Sequence, residues 1–255
     1  MDLNDITSGL ALAAAHRPPP LVGQTFIKRV DSFSRPVWLE CNDNKIYVVK
    51  GQHAGRAIFN DQIIARLGQL IGAPVGQPVV IIIPDELKQI EPQLHDISSG
   101  LAHGTLWITD TTDRLWLAHT DKDYNRSRFA ALSILYGWLC ANDQQLIYSN
   151  QDPYLVHSVD HGHFFPGGPD WNVQSLANNP QVQPYPEIYN NCSLKDEDIK
   201  ASLINLNKIT YGDIIKVVGL PPDEWGVSMS ERVEISKFII SRRDEMLARF
   251  AGIGE

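Results

Sequence analysis

Short runs rich in β-branched and aromatic residues dominate the early part of the chain. Thr25 to Val30, Val37 to Cys41 and Lys45 to Lys50 read as consecutive antiparallel strands, parted by Ser-Phe-Ser-Arg-Pro and by Asn42-Asp43-Asn44. Asn and Asp tolerate left-handed geometry, so the second break predicts a hairpin over Val37 to Lys50. Ile58, Ile63, Ile64, Leu67, Leu70 and Ile71 then recur at helical spacing, with Gly72 and Pro74 as a stop, which predicts a helix over Arg56 to Ile71. Val79 to Ile83, an unbroken apolar run between Pro78 and Pro84, predicts a strand buried on both faces. From Arg126 the period changes. Phe129, Leu132, Leu135, Tyr136 and Leu139 define an apolar helix, and Asp196 to Leu206 and Ser230 to Phe250 are helical as well. The pattern therefore predicts an α+β chain: sheet, helix and sheet first, a mainly helical part afterwards.

Composition narrows the setting. The 255 residues allow one large domain or two tightly joined lobes, and 43% hydrophobic content supplies a substantial core. Three prolines in Arg17 to Leu21 favour polyproline II, so the first lobe is expected to start after them. A net charge of −8 disfavours nucleic acid as the main partner. Cys41, Cys140 and Cys192 are odd in number and lack CxxC spacing, which predicts reduced thiols and a cytoplasmic setting. Asp2 and Asp5 precede the apolar Leu10 to Ala15, unlike the basic start of a signal peptide. No run reaches the roughly 18–20 apolar residues needed to span a bilayer, so no membrane insertion is expected.

The candidate chemistry lies in the loop-rich stretch Asn142 to Asn191. Asp143 follows the apolar helix, Asn150 comes seven residues later, and Asp160-His161-Gly162 follows the short strand Val156 to Val159. Two carboxylates and an amide so arranged suit a magnesium-bound phosphate. Lys50, at the end of a hairpin in a small sheet lobe, suits the α- and β-phosphates of a nucleotide, and Asp61 on the next helix suits an orienting carboxylate.

These residues belong to a longer series: Ser34-Arg35-Pro36, Tyr47 to Gly51, Asn60-Asp61, Leu67-Gly68, Ala73-Pro74-Val75, Gly100 to Gly104, Trp138 to Asp143, and Val159 to Phe164 with Trp171. In order and spacing the series resembles the HipA-like kinases. The resemblance implies a bilobal protein-kinase-like fold, with an extension at 1–24, a nucleotide-binding lobe at 25–117 and a helical lobe carrying the catalytic and metal loops at 118–255. It implies ATP and magnesium as cofactors and phosphoryl transfer to an acceptor the sequence does not identify, with a protein serine or threonine as the expected class. Residue by residue, it implies that Lys50 contacts ATP phosphates, that Asp143 is the catalytic-loop Asp, and that Asp160 and Asn150 hold the metal. Asp61 stands where the family usually has Glu. The phosphate-covering loop would be Asp31 to Arg35, where Ser32, Ser34 and Arg35 supply backbone amides, hydroxyls and a cation without a GxGxxG sequence.

Two other functions fit the same residues. A nucleotide-binding pseudokinase scaffold would use the fold without turnover. A metal-dependent hydrolase would gather His157, Asp160, His161 and His163, since residues two apart on an extended segment point the same way. Against the hydrolase, His161 is expected to pack as a neutral ring. Cys140 reads as a small buried hydrophobe, and Lys237, Arg242 and Arg243 as a solvated helix face.

Overall fold

A computed structural model of the chain describes residues 2–32, 34–113, 115–178 and 180–251. Helix α1 (Leu3–Ala15) comes first, followed by β1 (Leu21–Arg29), β2 (Val37–Cys41), β3 (Ile46–Lys50), α2 (Ala57–Leu70), β4 (Pro78–Ile83), α3 (Asp85–Ile90) and β5 (Gly100–Leu106). The expected β2–β3 hairpin forms, with Val37 opposite Val49 and Glu40 opposite Ile46. The strands run in the order β1-β2-β3-β5-β4 and close into a barrel. Closure comes from a short parallel pairing of Leu21 with Ile81 and Val22 with Ile82.

This barrel corrects the reading of Val79 to Ile83. Ile81 and Ile83 point into the barrel core, whereas Val79, Val80 and Ile82 are only half-buried, so the run is not buried on both faces. From Val80 on the burial alternates, and the outer face is only partly covered, with Val80 packed against the larger core.

The second part holds β6 (Thr111–Thr112), α4 (Asp123–Leu139), β7 (Gln145–Ser149), β8 (Val156–Val159), α5 (Val173–Ala177), α6 (Pro186–Asn191), α7 (Asp196–Lys208), α8 (Tyr211–Gly219) and α9 (Met229–Arg249). Strands β6, β7 and β8 form a small antiparallel sheet. Thr210 and Ser228 cap α8 and α9 by accepting the amides of Asp213 and Glu231, whose carboxylates return the bond to the cap backbone. None of the described helices is long and apolar enough to cross a membrane.

Two hydrophobic cores result. The barrel is filled by Val37, Leu39, Val49, Ile81, Ile83 and Ala102, among others. The larger core joins α4 and α7–α9, and it also takes in Ile58, Phe59, Ile63, Ile64 and Leu67 of α2. Helix α2 thus contacts β4 and β5 while its apolar side chains belong to the helical part. Ile6 and Leu10 of α1 enter the same core, and Arg17 pairs with Asp223 at 2.7 Å, so the segment before the prolines packs on the far end of the chain.

Arg242 corrects the reading of α9. Its side chain is buried and donates to Gly137 O (2.6 Å), Trp138 O (2.7 Å) and Pro180 O (2.8 Å), which occupies unpaired carbonyls at the end of α4. Arg243 is largely covered too and donates to Leu206 O and Asn207 O. Lys237 is exposed as expected, paired with Glu234.

Candidate active site

Strand β3 delivers Lys50 to a buried point where three elements meet. Its ammonium lies 2.9 Å from Asp61 Oδ2 of α2 and also donates to Asp160, the residue that follows β8. Lys50 and Asp61 are 7% and 3% exposed at the side chain, Asp160 26%. Burial alone would lower the Lys50 pKa, but the two carboxylates outweigh it and hold the amine above its ordinary value. Burial likewise pushes Asp61 up, and the Lys50 ammonium overrides it, keeping Asp61 ionised well below the usual carboxylate range. The Asp61 side chain thus reaches Lys50 directly.

Asp61 has a second partner. Its Oδ1 accepts the His161 backbone N–H at 2.5 Å, which ties α2 to the loop after β8. Asp160 adopts a left-handed backbone, φ +57°, and so turns the chain immediately after the strand. Gly162 then passes close against the first turn of α2: a Cβ there would stand 2.9 Å from Ala57 Cβ and 3.2 Å from Ala57 O.

His161 packs as a neutral ring. It is 2% exposed, its Nε2 lies 2.8 Å from Ser158 Oγ, and it sits edge-on to Phe164 with centroids 5.2 Å apart. Burial lowers its pKa. His157 instead meets the Arg128 guanidinium at 3.1 Å, and His163 is exposed. The His157/Asp160/His161/His163 site of the hydrolase reading therefore does not assemble, and no group of three or more His, Cys, Asp or Glu able to hold a metal occurs among the described residues.

Asp143 is exposed just past α4. With Asn142, His163, Gly168 and Asp170 it lines an open cleft of about 440 Å³. Asn142 donates to Phe165 O at 2.7 Å, so this loop is stitched to the loop that carries Asp160. Cys140, a left-handed helix cap at φ +53°, is buried, and burial pushes its thiol up to about 11.

Asn150 lies elsewhere. In the β7–β8 hairpin Gln145 faces Val159 and Tyr148 faces Val156, so Asp160 leaves from one end and Asn150 stands past the other. There Asn150 donates to Asp110 Oδ1 at 3.0 Å and pairs with it through the backbone. The pairing does not bring Asn150 to Asp160. The register instead puts Gln145, two residues after Asp143, opposite the residue before Asp160. The available sequence signal was the Gln144-Gln145 pair directly after Asp143.

In the loop between β1 and β2, Asp31 and Ser32 are exposed, and the Ser34 carbonyl lies 3.0 Å from His53 Nε2. Phe33 of that loop lies outside the described residues. Arg35 is committed to Asp96 at 2.6 Å, a carboxylate that Arg29 also holds through two contacts of 2.7 and 2.8 Å.

Behind Lys50, His103 of β5 stands opposite it in the sheet and is 2% exposed. In the orientation that satisfies every partner, the Gln62 amide donates to His103 Nδ1 (2.7 Å) and Val79 O (3.2 Å) and accepts from Arg66. Neither His103 nor Gln62 was given a role from the sequence. A histidine inside the Gly-Leu-Ala-His-Gly run was its only mark.

A family model described as HipA-like kinase matches residues 24–163. That span is more than half of the chain, which therefore belongs to the HipA-like kinase family. Among solved structures, the Helicobacter pylori proinflammatory kinase CtkA is similar in fold, with a TM-score of 0.58 at 12% identity over 90% of this chain and 96% of that one. The Golgi casein kinase with Mn/ADP bound has a TM-score of 0.47 at 11% identity, over 100% of this chain and 78% of that one. No match to a curated protein was found.

Proposed function

We propose that this HipA-like kinase is an ATP- and magnesium-dependent phosphotransferase, with a protein serine or threonine hydroxyl as acceptor. The observation that supports it above all is Lys50 joining Asp61 of α2 to Asp160 of the loop after β8, one buried cation on two carboxylates from two elements. Magnesium takes oxygen ligands, commonly one or two carboxylates plus substrate phosphates. Asp160, partly exposed directly after β8, fits that demand, with Gln145 opposite the residue before it, and the site asks for no wider cluster of protein ligands. When bound, the ion would supply charge neutralisation on the β- and γ-phosphates.

The chain's own groups do the rest. Lys50 holds the α- and β-phosphates, and Asp61 keeps the ammonium charged and aimed. Ser32 and Ser34 offer backbone amides over the phosphates, whereas Arg35 is held away by Asp96. Asp143, exposed at the cleft, orients the acceptor hydroxyl and takes its proton.

The test is transfer of labelled γ-phosphate from ATP to a serine/threonine peptide library, with and without magnesium, by wild type and by Asp160→Asn. Magnesium-dependent transfer lost in the variant supports the reading. Nucleotide binding without any transfer would replace it with the scaffold reading, and absence of both would reject it.

A further inference from the structure

We propose that Asn60 and Trp171 are positioning residues that hold the Asp160 loop in its metal-binding shape before any nucleotide arrives. The inference rests on the phosphotransferase reading above.

The loop from Asp160 to Trp171 has little regular structure, and Asp160, Phe165, Gly167 and Gly168 all take positive φ. Its carbonyls therefore lack a ladder and need other donors. One side chain serves three of them. Asn60, fully buried in the first turn of α2, has its Nδ2 at 2.8 Å from Gly162 O, 3.2 Å from Gly168 O and 3.4 Å from Phe164 O. Its Oδ1 accepts Trp171 Nε1–H at 3.0 Å. A primary amide has two N–H groups and one carbonyl oxygen, and here both ends are engaged.

The indole that completes the set is itself fixed. Trp171 is 1% exposed, packs on Phe59 with centroids 6.4 Å apart, and lies under the Arg56 guanidinium at 4.2 Å. Together with the Asp61 bond to the His161 amide, the loop is fastened to α2 just after Asp160 and again at its far end. Outer partners that orient a metal ligand set its affinity by about 10–100-fold. Asn60 touches neither metal nor phosphate in this scheme. It acts through the backbone that aims Asp160.

The experiment uses the full chain and two variants. Asn60→Asp keeps the shape and the acceptor for Trp171 but turns a carboxylate toward three carbonyl oxygens. Trp171→Phe removes one N–H and keeps an aromatic ring. Hydrogen exchange of the 160–171 amides is followed without ligand, and binding of a non-hydrolysable ATP analogue is titrated with magnesium and repeated in EDTA. The expected result is faster exchange in the loop and a magnesium half-saturation raised about tenfold in Asn60→Asp and about threefold in Trp171→Phe. Analogue affinity in EDTA should stay within about twofold. A folded variant with unchanged magnesium half-saturation would overturn the proposal, because a merely structural defect lowers the folded fraction without moving that constant. If Asn60→Asp does not fold, Trp171→Phe decides alone. If wild type binds no analogue with magnesium, the phosphotransferase reading fails and the positioning role with it, while slow, unchanged exchange in the variants would sink the clamp by itself.

Discussion

The Lys50 ammonium and the Asp61 carboxylate form an ion pair at 2.9 Å with side chains 7% and 3% exposed. At that depth a cation and its partner are thermodynamically one object. Removing one leaves an uncompensated buried charge at about 3–5 kcal/mol, whereas replacing both by neutral groups is often nearly neutral.

Lys50→Met should therefore destabilise the fold by about 3 kcal/mol or more in urea unfolding, besides weakening nucleotide binding about tenfold or more. Adding Asp61→Asn should restore most of the stability and none of the nucleotide affinity. A single mutant as stable as wild type would show that the pair is not buried as described.

Asp160 behaves differently because it is 26% exposed and Lys50 retains Asp61 without it. In Asp160→Asn the ligand-free melting temperature should change by only a few degrees, while the magnesium-dependent part of ATP binding disappears. Equal affinity of mutant and wild type at matched magnesium would defeat the metal role.

Gln145 and Asn150 offer a paired comparison at two ends of one hairpin. Gln145→Ala should raise the magnesium needed for half-saturation of nucleotide binding about tenfold, and Asn150→Ala should leave it unchanged. The reverse outcome would mean that the 143–150 segment rearranges around the nucleotide.

His103 sets an acid limit. Burial lowers its pKa from 6.5 to about 4, so between those values the unfolded chain binds a proton that the folded chain refuses. Stability then rises with pH across this window: the contribution is complete above about 6.5 and is lost as pH falls toward 4, by roughly 3 kcal/mol. His157, lowered to about 4 by burial and then by Arg128, adds a loss of the same sign. Unfolding free energies of wild type and His103→Gln between pH 4 and 7 should show a shallower slope in the variant, and parallel slopes would refute the assignment.

Much of this site was legible because its parts are local. Lys50 ends a hairpin whose turn residues mark it, Asp61 sits at a fixed offset in a periodic helix, and Asp160 follows directly on a short strand with valine at both ends. What escaped depends on partners distant in sequence. Asn150 looked close to Asp143 along the chain, but hairpin register carries it to the Asp110 side. Arg242 has the composition of a solvated face, and only the end of α4, about one hundred residues earlier, explains its burial. The barrel closes through two residues of β1 and two of β4, a contact no periodicity records. Helix α8 was within reach, since Thr210 and Asp213 have capping-box spacing.

Asn60, Asp61 and Gln62 are consecutive, fully or nearly buried, and serve three different elements: the Asp160 loop, the Lys50 strand end and β5. Successive side chains on an α-helix point about 100° apart, which is how three neighbours can address three directions. Genetic change here is consequently quantised. A one-residue insertion or deletion between Arg56 and Phe59 would turn the whole trio by one step, presenting two polar groups to a neighbour's partner, the third to apolar surroundings, and Phe59 or Ile63 to a polar one. Point substitutions can erode the site by degrees, but no small slip in length leaves part of it working.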